Sequence, residues 1–563
     1  MKQTFKALIK KIVLPIATVL LAIGVTFSLT YSDGTSRADA TITTHSYNSD
    51  IPFFNDYFGN FYPDNDTSID RWFDTLPQTT NYSNFCSLGT STYENINGKT
   101  VFVDAFNRAY LDSLNDPNYG QFMLVYQCIQ YKVAHPNEDV YISLSTYRLS
   151  ITASACLKRD SIYFGYMRSL FDEEYDTHGF VRLSFMLVEA ARMGIHVVLV
   201  PHLNSYGVRQ YSATNKNGYA KRDEPSYKTY FSNALNKDCY SVYANGKKVS
   251  NFMKYKSVAW NVNNYGGTDM MHAKICAVSN YIDYLGNEHS SAIFITSSNI
   301  DANDYLGRNG NSWSQTGTIV SDHDDLYLVC KNYVDFISNY TEVYNAEVFR
   351  YTFREKIQKQ IDLIISGNED LIPNNEKMIY LGSENDHIFE MYFSPLGGGY
   401  GTWDLINNPY AKYLTEFNNG TGPYTFTWNS ATYGMMRFFK ETIESIICKK
   451  FHENPTINNR LYIHLEGFEK SSDYDDLVVG ETIGFKLIEF DVSKVHSKDM
   501  LFAYNKNGTR HYISIISSCN FHDGALWYQA NHNLVIHETT EVGHTFFDNL
   551  GEATTKGAIV KQL

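Results

Sequence analysis

One short pattern occurs twice in this chain and constrains its fold more than any other feature does. The first copy consists of His272-Ala-Lys274 and, 27 residues after the histidine, Asn299. The second consists of His496-Ser-Lys498 and, 24 residues after the histidine, Asn520. The chain contains no other His-x-Lys sequence, and a Ser-x-Asn triplet closes each copy. Recurrence of the whole pattern at nearly equal spacing indicates an internal duplication.

A strand, helix, strand unit precedes the first copy. Val140–Leu144 alternates between apolar and polar residues, which is typical of a strand. Apolar residues at helical spacing then end at Gly194, and glycine is favoured just after the end of a helix. Ile195–Val200 follows as a strand that is apolar on both faces, as in covered parallel sheets.

The second copy is preceded by the same plan. Tyr424–Trp428 alternates, an apolar helical stripe runs from Met436 to Ile447, and Leu461–Leu465 returns as a strand. Both asparagines also follow apolar strands, Ala292–Ile295 and Tyr512–Ile516. The sequence therefore predicts an α/β protein built from two similar halves.

The six repeated side chains suit phosphodiester chemistry. Because residues two apart on a strand point to the same face, each His and Lys pair is expected to reach one pocket. Lysine ammonium and asparagine amide groups would stabilise the charge of a five-coordinate phosphorus. One imidazole can attack phosphorus while the other protonates the leaving oxygen and then activates water. Ser297 and Ser518, within the Ser-x-Asn triplets, are candidate substrate-binding residues.

The doubled pattern resembles the phospholipase D superfamily, whose members carry HxKxxxxD followed by GSxN. The segment Glu189–Gly194 before a Val-rich strand is also similar to that family, and the resemblance covers about residues 135 to 545. It implies two tandem phospholipase D-like α/β/α domains with mixed sheets, a pseudo-twofold axis and one shared active site. It also implies His272 as nucleophile, His496 as general acid, and the phosphate held by Lys274, Lys498, Asn299 and Asn520.

The chain departs from the family pattern at several positions. Ser279 and Ala503 stand where the family has the motif aspartate, and Thr296 and Ser517 stand where it has the glycine before serine. These losses widen the range of possible substrates more than they remove the chemistry. A residue that orients each catalytic histidine is also expected. The candidates are Gln315, Gln529 and Glu538.

The first forty residues are set apart from the fold. Four lysines precede an apolar run from Ile12 to about Leu29, which is typical of an export signal. Ala38-Asp39-Ala40 fits cleavage before Thr41, although the run over residues 12–29 is also long enough to remain as a membrane anchor. Both alternatives place the remainder outside the cytoplasm, so we expect a secreted or extracytoplasmic protein.

The remaining chain divides at polar stretches. Residues 41–100 are rich in Asn, Asp, Tyr and Pro and are expected to form an irregular leader. Residues 101–366 form the first predicted half and 367–563 the second, because Gly367–Lys377 has the composition of a linker.

No cofactor or metal is expected. The 8 cysteines are scattered and include no Cys-x-x-Cys pair, so a zinc site is unsupported. Cys276 and Cys519 lie in apolar segments and are predicted to be buried thiols, with at most two or three disulfides among the other cysteines. Asp322-His-Asp-Asp325 is the nearest approach to a metal cluster, and a solvated loop is the favoured interpretation.

Three functions remain open from the sequence. The first is a phospholipase D-type hydrolase of phospholipid headgroup diesters at a membrane surface, favoured by export, by the net charge of −14 and by abundant Tyr and Phe. The second is an exported nuclease or nucleotide phosphodiesterase, since aromatic residues also stack on bases, although an acidic chain is a poor general partner for nucleic acid. The third is a catalytically inactive binding homologue. No protein partner can be inferred.

Overall fold

The computed structural model describes residues 41–43, 92–96, 99–103, 117–147, 149, 187, 190–191, 193–202, 249–260, 269–283, 287–297, 299–300, 316–342, 345–382, 389–396, 407–430, 446–447, 449–454, 458–465, 486–489, 497–521, 523–541, 543–544, 546–548 and 550–551. Of the unit Met1–Thr41 only Thr41 is described, and the other described residues belong to one compact unit, Ile42–Leu563. The predicted export signal lies outside the described residues. Among the helices that are described, none is both long enough and apolar enough to cross a membrane.

Regular structure begins earlier than the sequence predicts. Besides strand β1 (Thr41–Thr43), strands β2 (Thr92–Ile96) and β3 (Lys99–Val103) pair as an antiparallel hairpin, and helix α1 (Pro117–Ala134) follows. Much of this hairpin falls within the segment expected to be irregular. Asn97-Gly98 stands between its strands in the sequence and is the turn dipeptide most typical of hairpins, so the signal was present.

The first sheet is mixed. Its strands from Tyr141 onward run in the order β9-β8-β7-β4-β5-β6, in which β4, β5 and β6 are parallel and the other pairings are antiparallel. Their bounds are β4 (Tyr141–Thr146), β5 (His196–Pro201), β6 (Met253–Tyr255), β7 (Ile275–Ile282), β8 (Glu288–Thr296) and β9 (Gly317–Ser321). A short 3-10 helix, Val249–Asn251, precedes β6.

Two helices connect the sheets. Helix α2 (Asp324–Ile337) starts where His323 caps it, its imidazole accepting from the Leu326 N–H. Helix α3 (Asn345–Ile365) follows, and the 3-10 turn Glu369–Leu371 leads to the second sheet.

The second sheet is also mixed, in the order β10-β11-β17-β16-β15-β12-β13-β14, with β12, β13 and β14 parallel. Its elements and those beside it are β10 (Tyr380–Leu381), β11 (Phe389–Phe393), α4 (Pro409–Asn419), β12 (Thr421–Ser430), α5 (Lys449–Glu453), β13 (Arg460–Leu465), β14 (Lys486–Glu489), β15 (Asp499–Lys506), β16 (Thr509–Ser517), α6 (Asp523–Trp527) and β17 (His532–Thr539).

The two sheets repeat one plan strand for strand. The order β9-β8-β7-β4-β5-β6 is matched by β17-β16-β15-β12-β13-β14, with the same parallel and antiparallel pairings. The predicted α/β fold class with two mixed sheets is therefore confirmed. The register also gives residue equivalences: Ile275 pairs with Ile295 as Asp499 pairs with Ile516. The predicted helix over Met436–Ile447 lies almost wholly outside the described residues.

The halves share one apolar core. Helix α2 contacts β7 and β8 of the first sheet and β10 and β11 of the second. From this helix the ring of Tyr333 stacks on Phe393 at 3.9 Å between centroids, and its hydroxyl donates to the Ser394 carbonyl at 2.9 Å. Cys276 and Cys519 are buried and unbridged, as predicted, and so are Cys128 and Cys330. Packing across the halves sets the distance between the two copies of the motif.

Candidate active site

The backbone of the first motif copy is bound by the second half of the chain. The His272 N–H donates to the Ala530 carbonyl at 2.7 Å, and the Ala530 N–H donates to the Met270 carbonyl at 2.8 Å. The Lys274 N–H donates to Nδ1 of His532 at 3.1 Å. Residues 272–274 therefore precede strand β7 and do not belong to it. The expectation that His272 and Lys274 share a face of a strand is wrong, because these backbone groups bond across the halves.

The imidazole of His272 is held in one tautomer by acceptors from the other half. Its Nδ1 lies 2.7 Å from the Ser518 carbonyl oxygen and 3.2 Å from Oδ1 of Asn531. The Ser518 hydroxyl donates to the same Oδ1 at 3.1 Å, and the Asn531 amide donates to the Ala525 carbonyl at 3.0 Å. Because both neighbours of Nδ1 are acceptors, Nδ1 carries the hydrogen and Nε2 keeps its lone pair.

Two lysines, one from each half, act on this ring. Burial lowers the pKa of His272 well below its usual value, and the charges of Lys274 and Lys498 lower it further. The ring is thus neutral at physiological pH. Nζ of Lys274 donates to the His272 carbonyl at 2.9 Å and lies 5.6 Å from the ring centre of Tyr147. Both lysines are buried. An uncharged imidazole whose Nε2 keeps its lone pair, acted on by two positive charges, has the chemistry to attack a phosphate ester.

The serines of the two triplets occupy equivalent places. Oγ of Ser297 accepts from the Thr316 N–H at 2.8 Å, and Oγ of Ser518 accepts from the His532 N–H at 3.2 Å. Both hydroxyls are buried and fasten the end of one strand to the start of the next. A role for these serines in substrate binding stays a prediction.

The asparagines that close the motifs differ in exposure. Asn299 is 2% exposed, whereas Asn520 is partly exposed. Oδ1 of Asn520 is nevertheless buried and has no hydrogen-bond partner among the described residues. An orphaned acceptor at the predicted phosphate site is available for a donor that arrives with a ligand.

Some predicted site residues fall elsewhere. His496 and Gln315 lie outside the described residues. Glu538 does not orient a histidine: its carboxylate accepts from the N–H groups of Phe546 and Phe547, at 3.1 and 2.7 Å. Gln529 is buried. At His272 the bond from Nδ1 goes to Asn531, which was not among the candidates. A role of Gln315 at His496 stays a prediction.

Asn531 could have been found by counting along the repeat. Thr296 pairs with Gly317, and Ser517 pairs with Asn533. Two residues before each of these partners stand Gln315 and Asn531. The candidate Gln315 thus corresponds in sequence to Asn531, and the repeat pointed to it.

A buried carboxylate beside Lys498 was also missed. Oδ2 of Asp499 accepts from the Thr316 hydroxyl at 2.5 Å, which joins the second half to the first. Burial raises the pKa of Asp499 to about 7, opposed by that hydrogen bond and by the Lys498 charge. The carboxyl is therefore partly protonated near neutral pH. Its equivalent in the first half, Ile275, carries no charge.

The side chains of the acidic stretch Asp322–Asp325 are bound by other side chains of the protein. Asp322 accepts from His289 at 2.7 Å, and Ser290 and Ser291 both donate to Asp324 at 3.0 Å. Within the part of the chain that the structure describes, no three His, Cys, Asp or Glu side chains are placed to hold a metal ion. A cavity of about 270 Å³ lies at the other end of β4 and β5, lined among others by Tyr141 and His196, and contains none of the predicted site residues.

Comparison with known proteins gives structural likenesses only. No protein-family model matches the chain, and no curated protein matches it. Similar solved structures include phosphatidylserine synthase from Haemophilus influenzae, with 11% identity over 79% of this chain and 86% of that one and a TM-score of 0.43. Yeast tyrosyl-DNA phosphodiesterase is 9% identical over 70% and 82%, with a TM-score of 0.32.

A third similar structure is Nuc from Salmonella typhimurium, described as a phospholipase D family member. It is 11% identical over 30% of this chain and 95% of that chain, with a TM-score of 0.19. Since the TM-scores lie below 0.5, the reaction and the substrate have to be inferred from this chain's own residues.

Proposed function

We propose that this chain is an exported phosphodiesterase of the phospholipase D type, which hydrolyses phospholipid headgroup diesters through a phosphohistidine. The observation that carries the proposal is the convergence of both motif copies on His272. Its Nδ1 is bound by the Ser518 carbonyl, and the charges of Lys274 and Lys498 both act on its ring. One imidazole is thereby prepared by groups from both halves.

In the first step, Nε2 of His272 attacks phosphorus. A P–N bond forms and the bond to the leaving oxygen breaks, while His496 donates a proton to that oxygen. Nδ1 keeps its hydrogen, so the phosphorylated ring gains positive charge, which the Ser518 carbonyl and Asn531 Oδ1 stabilise as acceptors. Lys274 and Lys498 stabilise the charge on the phosphoryl oxygens.

In the second step, water replaces the histidine. His496, now neutral, takes a proton from the water as its oxygen attacks phosphorus, and the P–N bond breaks. His272 returns to its neutral form with Nδ1 still protonated, and the cycle closes without a net gain or loss of protons on the protein. The same intermediate can be intercepted by a small alcohol in place of water.

A membrane surface as the location of the substrate is supported by exposed side chains near the site. Tyr351 is 67% and Tyr528 is 38% exposed, and the Arg350 guanidinium lies 5.3 Å from the ring centre of Tyr528. Tyr528 is two residues from Ala530, whose backbone bonds to His272. Aromatic and arginine side chains are suited to a lipid interface. Export would bring the enzyme to such substrates.

The substrate is tested by direct comparison. The chain from Thr41 should be incubated without added metal with phosphatidylcholine vesicles and, separately, with single-stranded oligonucleotides. Release of choline that disappears in Lys498→Ala supports the lipid proposal. Cleavage confined to the oligonucleotides, and lost in the same variant, would replace it with a nuclease. No cleavage of either substrate would favour a binding homologue.

A further inference from the structure

A third imidazole lies in the site and has no part in the steps above. His532 is the first residue of β17 and is 0% exposed. Its Nδ1 accepts from the Lys274 N–H at 3.1 Å, so the ring's hydrogen is on Nε2. The backbone amide does not release its proton, which fixes this tautomer.

The Nε2–H group of His532 is buried and has no hydrogen-bond partner among the residues described. Leaving a donor buried and unsatisfied costs about 1 to 3 kcal/mol. Native proteins contain few such groups, and a catalytic role is one of their recognised explanations.

The position of the ring identifies the ligand. Burial lowers the pKa of His532 well below its usual value, and the charges of both Lys274 and Lys498 lower it further. The ring therefore remains neutral, and the bond from the Lys274 N–H to its Nδ1 places it beside the first motif copy. An anion is the ligand that these two positive charges attract and that can accept a hydrogen bond from a neutral N–H group. His202 also has a buried Nε2 without a hydrogen-bond partner among the described residues, but of the two lysines it is Lys274 whose charge lowers its pKa.

We propose that His532 is a further catalytic residue, whose Nε2–H donates to a non-bridging oxygen of the phosphoryl group bound between Lys274 and Lys498. This rests on the proposed function. His532 cannot serve as the general acid, because loss of its Nε2 hydrogen would leave an imidazolate while Nδ1 still accepts from the Lys274 N–H. Its part is that of a fixed neutral donor.

Two substitutions separate the two bonds of this ring. In His532→Asn, the amide oxygen is as many bonds from Cβ as Nδ1, so it can still accept from the Lys274 N–H while the outer donor is lost. In His532→Gln, the amide nitrogen is as many bonds from Cβ as Nε2, so the donor is kept while the acceptor is lost. His135→Asn, at a partly exposed histidine, is the matched control.

The expected result is a fall in kcat of about 10²-fold or more in His532→Asn, with little change in KM, and partial recovery in His532→Gln. The control should match wild type. If His532→Asn keeps kcat within about twofold and His532→Gln is the impaired variant, the histidine is only a structural acceptor and the proposal is overturned.

A second measurement uses wild type and needs no turnover. The imidazole N–H proton of His532, assigned by its loss in either variant, should move downfield in the NMR spectrum when inorganic phosphate or vanadate binds. A signal that does not move at saturating vanadate overturns the proposal even if diesters are hydrolysed. A signal that moves in a protein that cleaves no diester supports the donor and refutes the proposed function. If His532→Asn does not fold, this measurement decides alone.

Discussion

The two halves have the same strand order but bind each other through different chemistry. Position 532 of the second half corresponds to position 316 of the first. Residue 532 comes directly before Asn533, which pairs with Ser517, and residue 316 comes directly before Gly317, which pairs with Thr296. His532 accepts from the backbone of Lys274, whereas Thr316 donates to the side chain of Asp499. The repeated fold fixes where the halves touch, and substitutions at those points give the two halves different hydrogen bonds.

The charge next to each lysine differs in the same way. Lys274 is followed by Ile275 and Lys498 by Asp499, and the pairings of β7 and β15 show that these are equivalent places. The first lysine thus has an apolar neighbour and the second a buried carboxyl. This difference is consistent with the two roles proposed above, a nucleophile in the first half and a proton-transfer group in the second.

Replacing the nucleophile should have the largest effect. His272→Asn removes the attacking nitrogen, so hydrolysis should fall by about 10⁴-fold or more and no phosphorylated protein should form. Trapping with a p-nitrophenyl diester followed by mass spectrometry checks this. In His496→Asn the burst of p-nitrophenol should remain, because that leaving group needs no proton, and turnover should be slow. An acid-labile adduct on the peptide containing residue 496 would reverse the assignment.

The next largest effect concerns Asp499, the buried carboxyl that follows Lys498 and whose equivalent in the first half is Ile275. The folded pKa of Asp499 is raised, so the folded protein keeps this proton while the unfolded chain loses it. The group's contribution to stability is therefore complete below about pH 4 and is lost as pH rises to about 7. Asp499→Asn should be more stable than wild type, by up to a few kcal/mol, with a difference that grows between pH 4 and pH 7 and is constant above.

Urea unfolding across this pH range measures that difference. The buried histidines titrate in the opposite direction: His272, His202 and His532 have lowered pKa values and destabilise the folded state as pH falls below about 6.5. They are present in both proteins and cancel in the comparison. Asp362→Asn, at an exposed carboxylate, is the control substitution. A difference that is flat with pH would show that Asp499 keeps its charge on folding.

Loss of the orienting amide should have an intermediate effect. Asn531→Ala removes one of two acceptors at Nδ1 of His272 and leaves the Ser518 carbonyl, so kcat should fall by about 10- to 100-fold. The pH dependence of kcat/KM should change together with kcat, which a purely structural role would not require. Asn531→Asp offers a stronger acceptor and should raise the pKa of His272. If Asn531→Ala leaves kcat unchanged, the Ser518 carbonyl alone is sufficient to fix the tautomer of His272.

The smallest effect is expected at the bond between Thr316 and Asp499. Thr316→Val keeps the shape of the side chain and removes the donor, which should cost about 1 to 3 kcal/mol in the free energy of unfolding near neutral pH. In an Asp499→Asn background the cost should shrink, because no buried charge is left unsatisfied. A double-mutant cycle measured by urea unfolding tests this. Additive costs would show that the two side chains do not depend on each other.

Much of the fold could be predicted because the apolar pattern repeats. The predicted strands Ile195–Val200 and Leu461–Leu465 match β5 and β13 to within one residue at each end. Local pattern could not reveal that residues 272–274 stop short of β7, because their hydrogen bonds run to Ala530 and His532, far along the chain. His532 and Asp499 escaped prediction for the same reason, because their partners Lys274 and Thr316 belong to the opposite half.

The cross-half partners of His272 also bear on ancestry. Ser518 and Asn531 orient a histidine that lies 246 and 259 residues away, and no group of the histidine's own half is seen to bind its Nδ1 among the described residues. If the repeat arose by duplication, an ancestor of half the length would have had the corresponding residues in a second subunit. Such a symmetric dimer would present each subunit's serine and asparagine to its partner. After fusion of the two copies, each could change independently of the other. Thr316 and His532, at equivalent positions, would be a result of that divergence.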